Sequence, residues 1–127
     1  MSQPSGEITV QPAVITVKAL RLRAYVGFND EEQHKLQDVV LNLHISHQLH
    51  PAVREDQVEH ALNYKTITKE VIALVDGNRF LLLEKLVNDV VESIISHEQV
   101  KSVTVEADKP HALRFADSVS VSLTATR

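Results

Sequence analysis

Cysteine and tryptophan are absent from the 127 residues, and aromatic side chains make up only 4% of them. Without cysteine there are no disulfides and no thiolate metal ligands, and nothing suggests a secreted scaffold. So few rings cannot form a stacking platform along a nucleic-acid strand. A strong positive charge is missing as well. The formal net charge of -4 leaves no broad electrostatic footprint for nucleic acid. Long apolar runs are lacking too: Lys18, Arg21 and Arg23 break the stretch near the amino terminus, so neither a signal peptide nor a membrane span is expected. What is present is ordinary for a globular protein of the cytoplasm. The hydrophobic fraction is 43% and the charged fraction 24%, in a chain long enough to bury one core. A single domain over residues 1–127 is expected, with residues 1–11 as a flexible, polar tail.

Hydrophobic periodicity supplies the elements. Ile15 and Val17 are apolar in one phase, Leu20 and Leu22 in the other, which predicts a strand with a bulge near Lys18 and Ala19. Gly27 to Gln33 reads as an acidic turn. Val39, Leu41, Leu43 and Ile45 alternate with polar residues, as on a half-buried strand. After a polar connector from Gln48 to Ala61, Asn63 caps a helix starting at Tyr64, whose stripe is Ile67, Val71, Leu74 and Val75. Gly77 ends it. A second helix is predicted from about Phe80 to His97, with Leu83, Leu86, Val87, Val90 and Ile94 on one side. Two strands close the chain, one through Val103, Val105 and Ala107, the other through Val119, Val121, Leu123 and Ala125. The order β-β-α-α-β-β predicts an α+β fold: an antiparallel four-stranded sheet with two helices on one face and Ser, Thr and Asn on the other. Open sheet edges suggest oligomerisation.

Four segments carry a resemblance. Leu20 to Gly27 with Asp30-Glu-Glu32, then Leu62-Asn-Tyr64, then Asn78 to Glu84, then Asp108-Lys-Pro110 together resemble the dihydroneopterin aldolase and epimerase family, in order and in spacing, over roughly residues 14–126. The resemblance implies the tunnelling fold, whose subunits close into barrels of four that stack as an octamer. Ala61 to Lys69 and His111 to Val119 look like the family's epimerase branch. Typical aldolases carry glycine where this chain has His111, and usually arginine where it has Phe115.

On residue type alone the candidates have plainer readings. Glu84 suits the dipole at a helix start. Tyr64 suits a core-facing ring with a wet tip. Lys109, Glu32, His111 and Arg114 suit solvated surface charge. The resemblance implies more. It makes Glu84 the anchor for the 2-amino group and ring N–H of a pterin, by a bidentate carboxylate contact. It adds the backbones of Leu62 and Leu83 as pterin contacts. It makes Lys109, Glu32 and Tyr64 the proton-transfer groups, with Tyr64 reaching across a subunit boundary. A triphosphate on the substrate needs cations, and His111 and Arg114 are the candidates, ahead of Arg21 and Arg23.

The implied reaction inverts C2' of 7,8-dihydroneopterin triphosphate by retro-aldol cleavage and re-addition. The alternatives are dihydroneopterin aldolase chemistry, releasing 6-hydroxymethyl-7,8-dihydropterin and glycolaldehyde, and a non-catalytic pterin-binding oligomer. A dihydropterin imine is its own electron sink, so neither a cofactor nor a metal is expected. His44, His47 and His50 have a metal-like spacing, but on a strand a separation of three sends side chains to opposite faces. The expected partners are a pterin and further copies of the chain, not nucleic acid or membrane.

Overall fold

The computed structural model describes Gly6, Ile8, Thr9 and residues 11–127. The tail expected over residues 1–11 therefore lies largely outside the described residues. The elements are β1 (Ala13–Val26), α1 (Asp30–Gln33), β2 (Gln37–His47), α2 (Tyr64–Val75), β3 (Arg79–Phe80), α3 (Leu83–Ile95), β4 (Val100–Pro110) and β5 (Ser118–Thr126). The strand order is β3-β1-β2-β4-β5. The four long strands pair antiparallel, and β3 adds to β1 in parallel.

The bulge falls where the phase slip puts it. Val17 faces Leu43 and Leu20 faces Leu41, so β1 spends one more residue than β2 over this interval. Ala19 takes up the excess at φ +52°, and its amide donates to the Asn42 side-chain oxygen at 2.9 Å. The slip returns Leu22, Ala24 and Val26 to the face that is buried. Beside them Val39, Leu41, Leu43 and Ile45 are fully buried, as are Val105 and Ala107.

Both long helices cover this face. α2 packs along β1, and α3 lies over β4 and β5. Asn63 caps α2 as expected, its side-chain oxygen accepting the Thr66 amide at 3.1 Å. Gly77 follows at φ +76°, a left-handed turn that suits glycine after a helix end. Its amide bonds the Arg23 carbonyl at 2.7 Å. Asn78 donates its side-chain amide to the carbonyls of Ala73 and Leu74, closing the last turn.

The second long helix begins later than its apolar run suggested. Arg79 and Phe80 are extended and pair with Tyr25 and Val26, and the Gly27 amide donates to the Phe80 carbonyl at 2.9 Å. Four apolar residues in a row, Phe80 to Leu83, fit a strand or a helix equally well by periodicity. The free edge of β1 decides in favour of a short fifth strand. The helix also stops before His97, whose ring bonds Glu70 of α2 at 2.6 Å. The acidic turn holds one further element, the single-turn α1.

The opposite face of the sheet is polar in aligned rows. Thr16, His44, Thr104 and Thr124 sit opposite one another across four strands. Thr104 and Thr124 share a hydrogen bond of 2.8 Å, and Ser120 bonds Asp108. Among the described residues no helix is long and apolar enough to cross a membrane.

Candidate active site

The helix-covered face runs out of hydrophobic residues at one end of the sheet, and charge begins there. Lys109 continues the parity of Val103, Val105 and Ala107 along β4, so its side chain emerges where the core ends. It forms an ion pair with Glu32, delivered from α1. The two side chains are only 12% and 25% exposed, whereas the Arg23–Asp38 pair nearby is 61% and 66% exposed. A paired charge held out of bulk water is oriented in a way that a surface ion pair is not.

Gly27 makes this pair possible. A Cβ on Gly27 would lie 2.2 Å from the Glu32 carboxyl carbon, and its φ is +138°. Both facts demand glycine. Glu32 also accepts the Asn29 amide at 3.4 Å, which ties its carboxylate back to the start of α1. The far end of α1 is held separately: the Arg79 guanidinium donates to the Gln33 carbonyl at 2.6 Å and stacks 3.9 Å from the centre of the Tyr25 ring. A groove lined by Tyr25, Gly27, Gln33, Arg79, Phe80 and Leu81 opens beside the pair. Sequence reading missed Gly27, Tyr25, Gln33 and Arg79. Glycine at the end of an apolar strand, directly before an acidic turn, was the one available signal.

Glu84 stands in the first turn of α3, exposed, with no hydrogen-bond partner among the described residues. Leu82 precedes the helix and supplies no side-chain cap. Leu81 and Leu82 are 61% and 48% exposed, while Leu83 turns into the core. The apolar surface beside Glu84 is therefore largely open to solvent in the single chain. β3 ties this corner to Gly27, so Glu84 and the Glu32–Lys109 pair belong to the same end of the sheet.

Tyr64 and Leu62 belong to the other end. Tyr64 is 49% exposed and lines a groove with Ile15, Thr16 and Val17 at the start of β1. Gly27 lies beyond the opposite end of that strand, roughly 30 Å away at about 3.3 Å per residue. The structure thus brings Glu32, Lys109, Leu83 and Glu84 to one end and puts Leu62 and Tyr64 at the other. A single chain does not assemble the whole expected set.

His111 and Arg114 lie in the loop between β4 and β5. His111 has φ +63°, and its amide bonds the Asp117 carbonyl at 3.5 Å. Its side chain lines a groove with Arg23, Lys35 and Asp38. Arg114 points elsewhere, its guanidinium 5.5 Å from the ring of Phe115, a side chain 95% exposed. The histidine series divides as a strand requires. His44 is exposed on the polar face, His47 is buried, and His50 stacks on His60 with ring centres 3.9 Å apart.

The model of the FolB dihydroneopterin aldolase family matches residues 15–124. The chain belongs to this family. Two relatives are dihydroneopterin triphosphate 2'-epimerases: one from Pseudomonas aeruginosa is 47% identical over 91% of this chain and 94% of its own length, and one from Escherichia coli K12 is 44% identical over 97% of each. The crystal structure of E. coli dihydroneopterin aldolase in complex with neopterin superposes with a TM-score of 0.83 at 26% identity, covering 89% of this chain and 98% of that one. The α+β architecture with a curled sheet is thus the family's tunnelling fold, with β3 as a short extra strand at the edge.

Proposed function

We propose that the chain is an isomerase that inverts C2' of 7,8-dihydroneopterin triphosphate to give 7,8-dihydromonapterin triphosphate. The observation that carries this reading is the gap between 44–47% identity to 2'-epimerases and 26% to the aldolase that superposes on it. The Glu32–Lys109 pair supplies chemistry suited to it. A base takes the 2'-hydroxyl proton, and the C1'–C2' bond breaks. The electron pair left on C1' delocalises into the C6=N5 imine as N5 gains a proton. The released aldehyde turns over, C1' attacks its other face, N5 gives the proton back and the new 2'-alkoxide is protonated. Lys109, Glu32 and Tyr64 share these transfers, partly through water. Glu84 anchors the pterin amino group and ring N–H beside the backbones of Leu83 and Leu62. His111 faces the phosphates, while Arg114, the other cation expected there, lies against Phe115. If the aldehyde escapes before recombining, the same machinery performs aldolase cleavage as a side reaction.

The split between the two ends of the sheet supports a site shared by two copies, one presenting Glu32, Lys109 and Glu84, the other Tyr64 and Leu62. Exposed Leu81, Leu82 and Phe28 at one end and exposed Tyr64 and Val58 at the other fit surfaces buried on assembly. The outer edge of β5 and the outer edge of β1 before Tyr25 have no strand partner among the described residues, and pairing between copies would satisfy both. A homo-octamer of single-domain subunits in the cytoplasm goes with this reading, with a pterin as the small-molecule partner.

The test is incubation with dihydroneopterin triphosphate and, separately, with dihydroneopterin, followed by product analysis. The monapterin epimer should dominate with the triphosphate. Release of 6-hydroxymethyl-dihydropterin alone would make the protein an aldolase, and no product with either substrate would make it a binding protein.

A further inference from the structure

His111 is a histidine in a glycine's conformation. Its φ of +63° is costly for a side chain with a Cβ, and non-glycine residues held there tend to mark functional positions. Glycine would adopt that turn without strain. The imidazole is therefore present despite the backbone. It lines a groove whose other walls are Arg23 from β1 and Lys35 and Asp38 flanking the start of β2. Arg23 is held in place, its guanidinium on the Asp38 carboxylate at 3.2 Å and on the Leu36 carbonyl at 3.1 Å. Lys35 is exposed and has no partner among the described residues. Along the chain, Lys35 follows Glu32 by three residues and His111 follows Lys109 by two.

We propose that the groove walled by Arg23, Lys35 and His111 is the subsite for a polyphosphate tail, and that it decides the preference for a triphosphate substrate. The inference rests on the epimerase reading and changes its detail, because it gives the leading role to Lys35 and Arg23 rather than to Arg114. A guanidinium held through Nε and one Nη can turn its remaining N–H donors to phosphate oxygens, and a free ammonium can follow them as a point charge. Asp38 is the one groove group that opposes an anion. It orients Arg23 while the groove is empty and competes with phosphate for the same guanidinium.

The test uses inorganic tripolyphosphate, so that it reads the subsite even if the turnover assay contradicts the epimerase reading. Calorimetry on the intact protein should show tripolyphosphate binding that weakens about tenfold or more in Lys35→Ala, from loss of one charge-assisted contact. His111→Gly should weaken it too while raising the melting temperature, since it relieves the backbone. Asp38→Asn should strengthen it, a gain that damage to the fold cannot mimic. In steady-state assays Lys35→Ala and His111→Gly should each lower the preference for the triphosphate over dephosphorylated dihydroneopterin by a similar factor. Tripolyphosphate affinity unchanged in both Lys35→Ala and Asp38→Asn would overturn the proposal, as would a loss confined to Arg114→Ala.

Discussion

The two ends of the sheet are built from the same strands and do opposite things. At the Gly27 end, a bare backbone, a single-turn helix and a strand end converge, and two charges meet with most of their surface covered. At the Tyr64 end, a well-capped helix start projects an exposed ring beside an open groove. The first end holds the ion pair, and its own ring, Tyr25, is already stacked against Arg79. The second has the ring, with Lys65 and Lys69 along its groove but no carboxylate among the groove's lining residues. On the function proposed above, each complements the other, and the repeating unit of chemistry would be the boundary between two chains.

Complementation should break or sharpen this comparison with the largest effect. Lys109→Ala is expected to lower turnover by on the order of 10²–10⁴, and Tyr64→Ala to lower it severely through the other end. Denatured together in equal amounts and refolded, the two inactive variants should recover about a quarter of wild-type activity, the statistical share of boundaries with both ends intact. Recovery no greater than the sum of the two variants would place both residues in one chain's site. Within the Gly27 end, Gly27→Ala should displace Glu32 and cost about 1–3 kcal/mol of stability through its φ and the close approach. It should also reduce turnover nearly as far as Lys109→Ala. Wild-type activity in that variant would detach Glu32 from the chemistry.

Glu84→Gln should weaken the binding of a non-reacting pterin by about 2 kcal/mol, because one acceptor becomes a donor facing the pterin amino group. Since Glu84 is exposed in the single chain, thermal stability should stay within a few tenths of a kcal/mol of wild type. Equal pterin affinity by calorimetry would remove Glu84 from the anchor role. The smallest effect belongs to the Tyr64 end. Asn63→Ala removes the bond to the Thr66 amide and should cost about 1 kcal/mol of stability, read by denaturant unfolding, with turnover falling only as far as Tyr64 loses its position.

Wherever one periodicity ran unbroken, local pattern was enough. The alternation in β2, β4 and β5 placed Leu41, Leu43, Val103 and Val105 in the core, because a strand that shows one face to water cannot slip by a residue without exposing its whole apolar set. The bulge at Ala19 was legible for the same reason, since a change of phase has to be absorbed somewhere. The α2 cap and the Gly77 stop are likewise short-range chemistry. The roles of Glu32, Tyr64, Glu84 and Lys109 entered by resemblance, since each residue alone reads equally well as solvated charge or a half-buried ring.

Tertiary structure decided what depends on partners distant in the chain. Phe80 became a strand because the end of β1 offered free hydrogen-bonding groups, which no local window contains. Glu32 and Lys109, 77 positions apart, met because Gly27 has no Cβ to keep them apart. Tyr64 was parted from them because α2 runs along β1 and fixes its start at the strand's far end. His111 shows the division most plainly. The sequence by itself determined that an imidazole stands there, two residues beyond a lysine. Only the fold turned its backbone to φ +63° and set it beside Arg23 and Lys35, since periodicity reports which face a side chain takes and carries no information about which distant charges share that face.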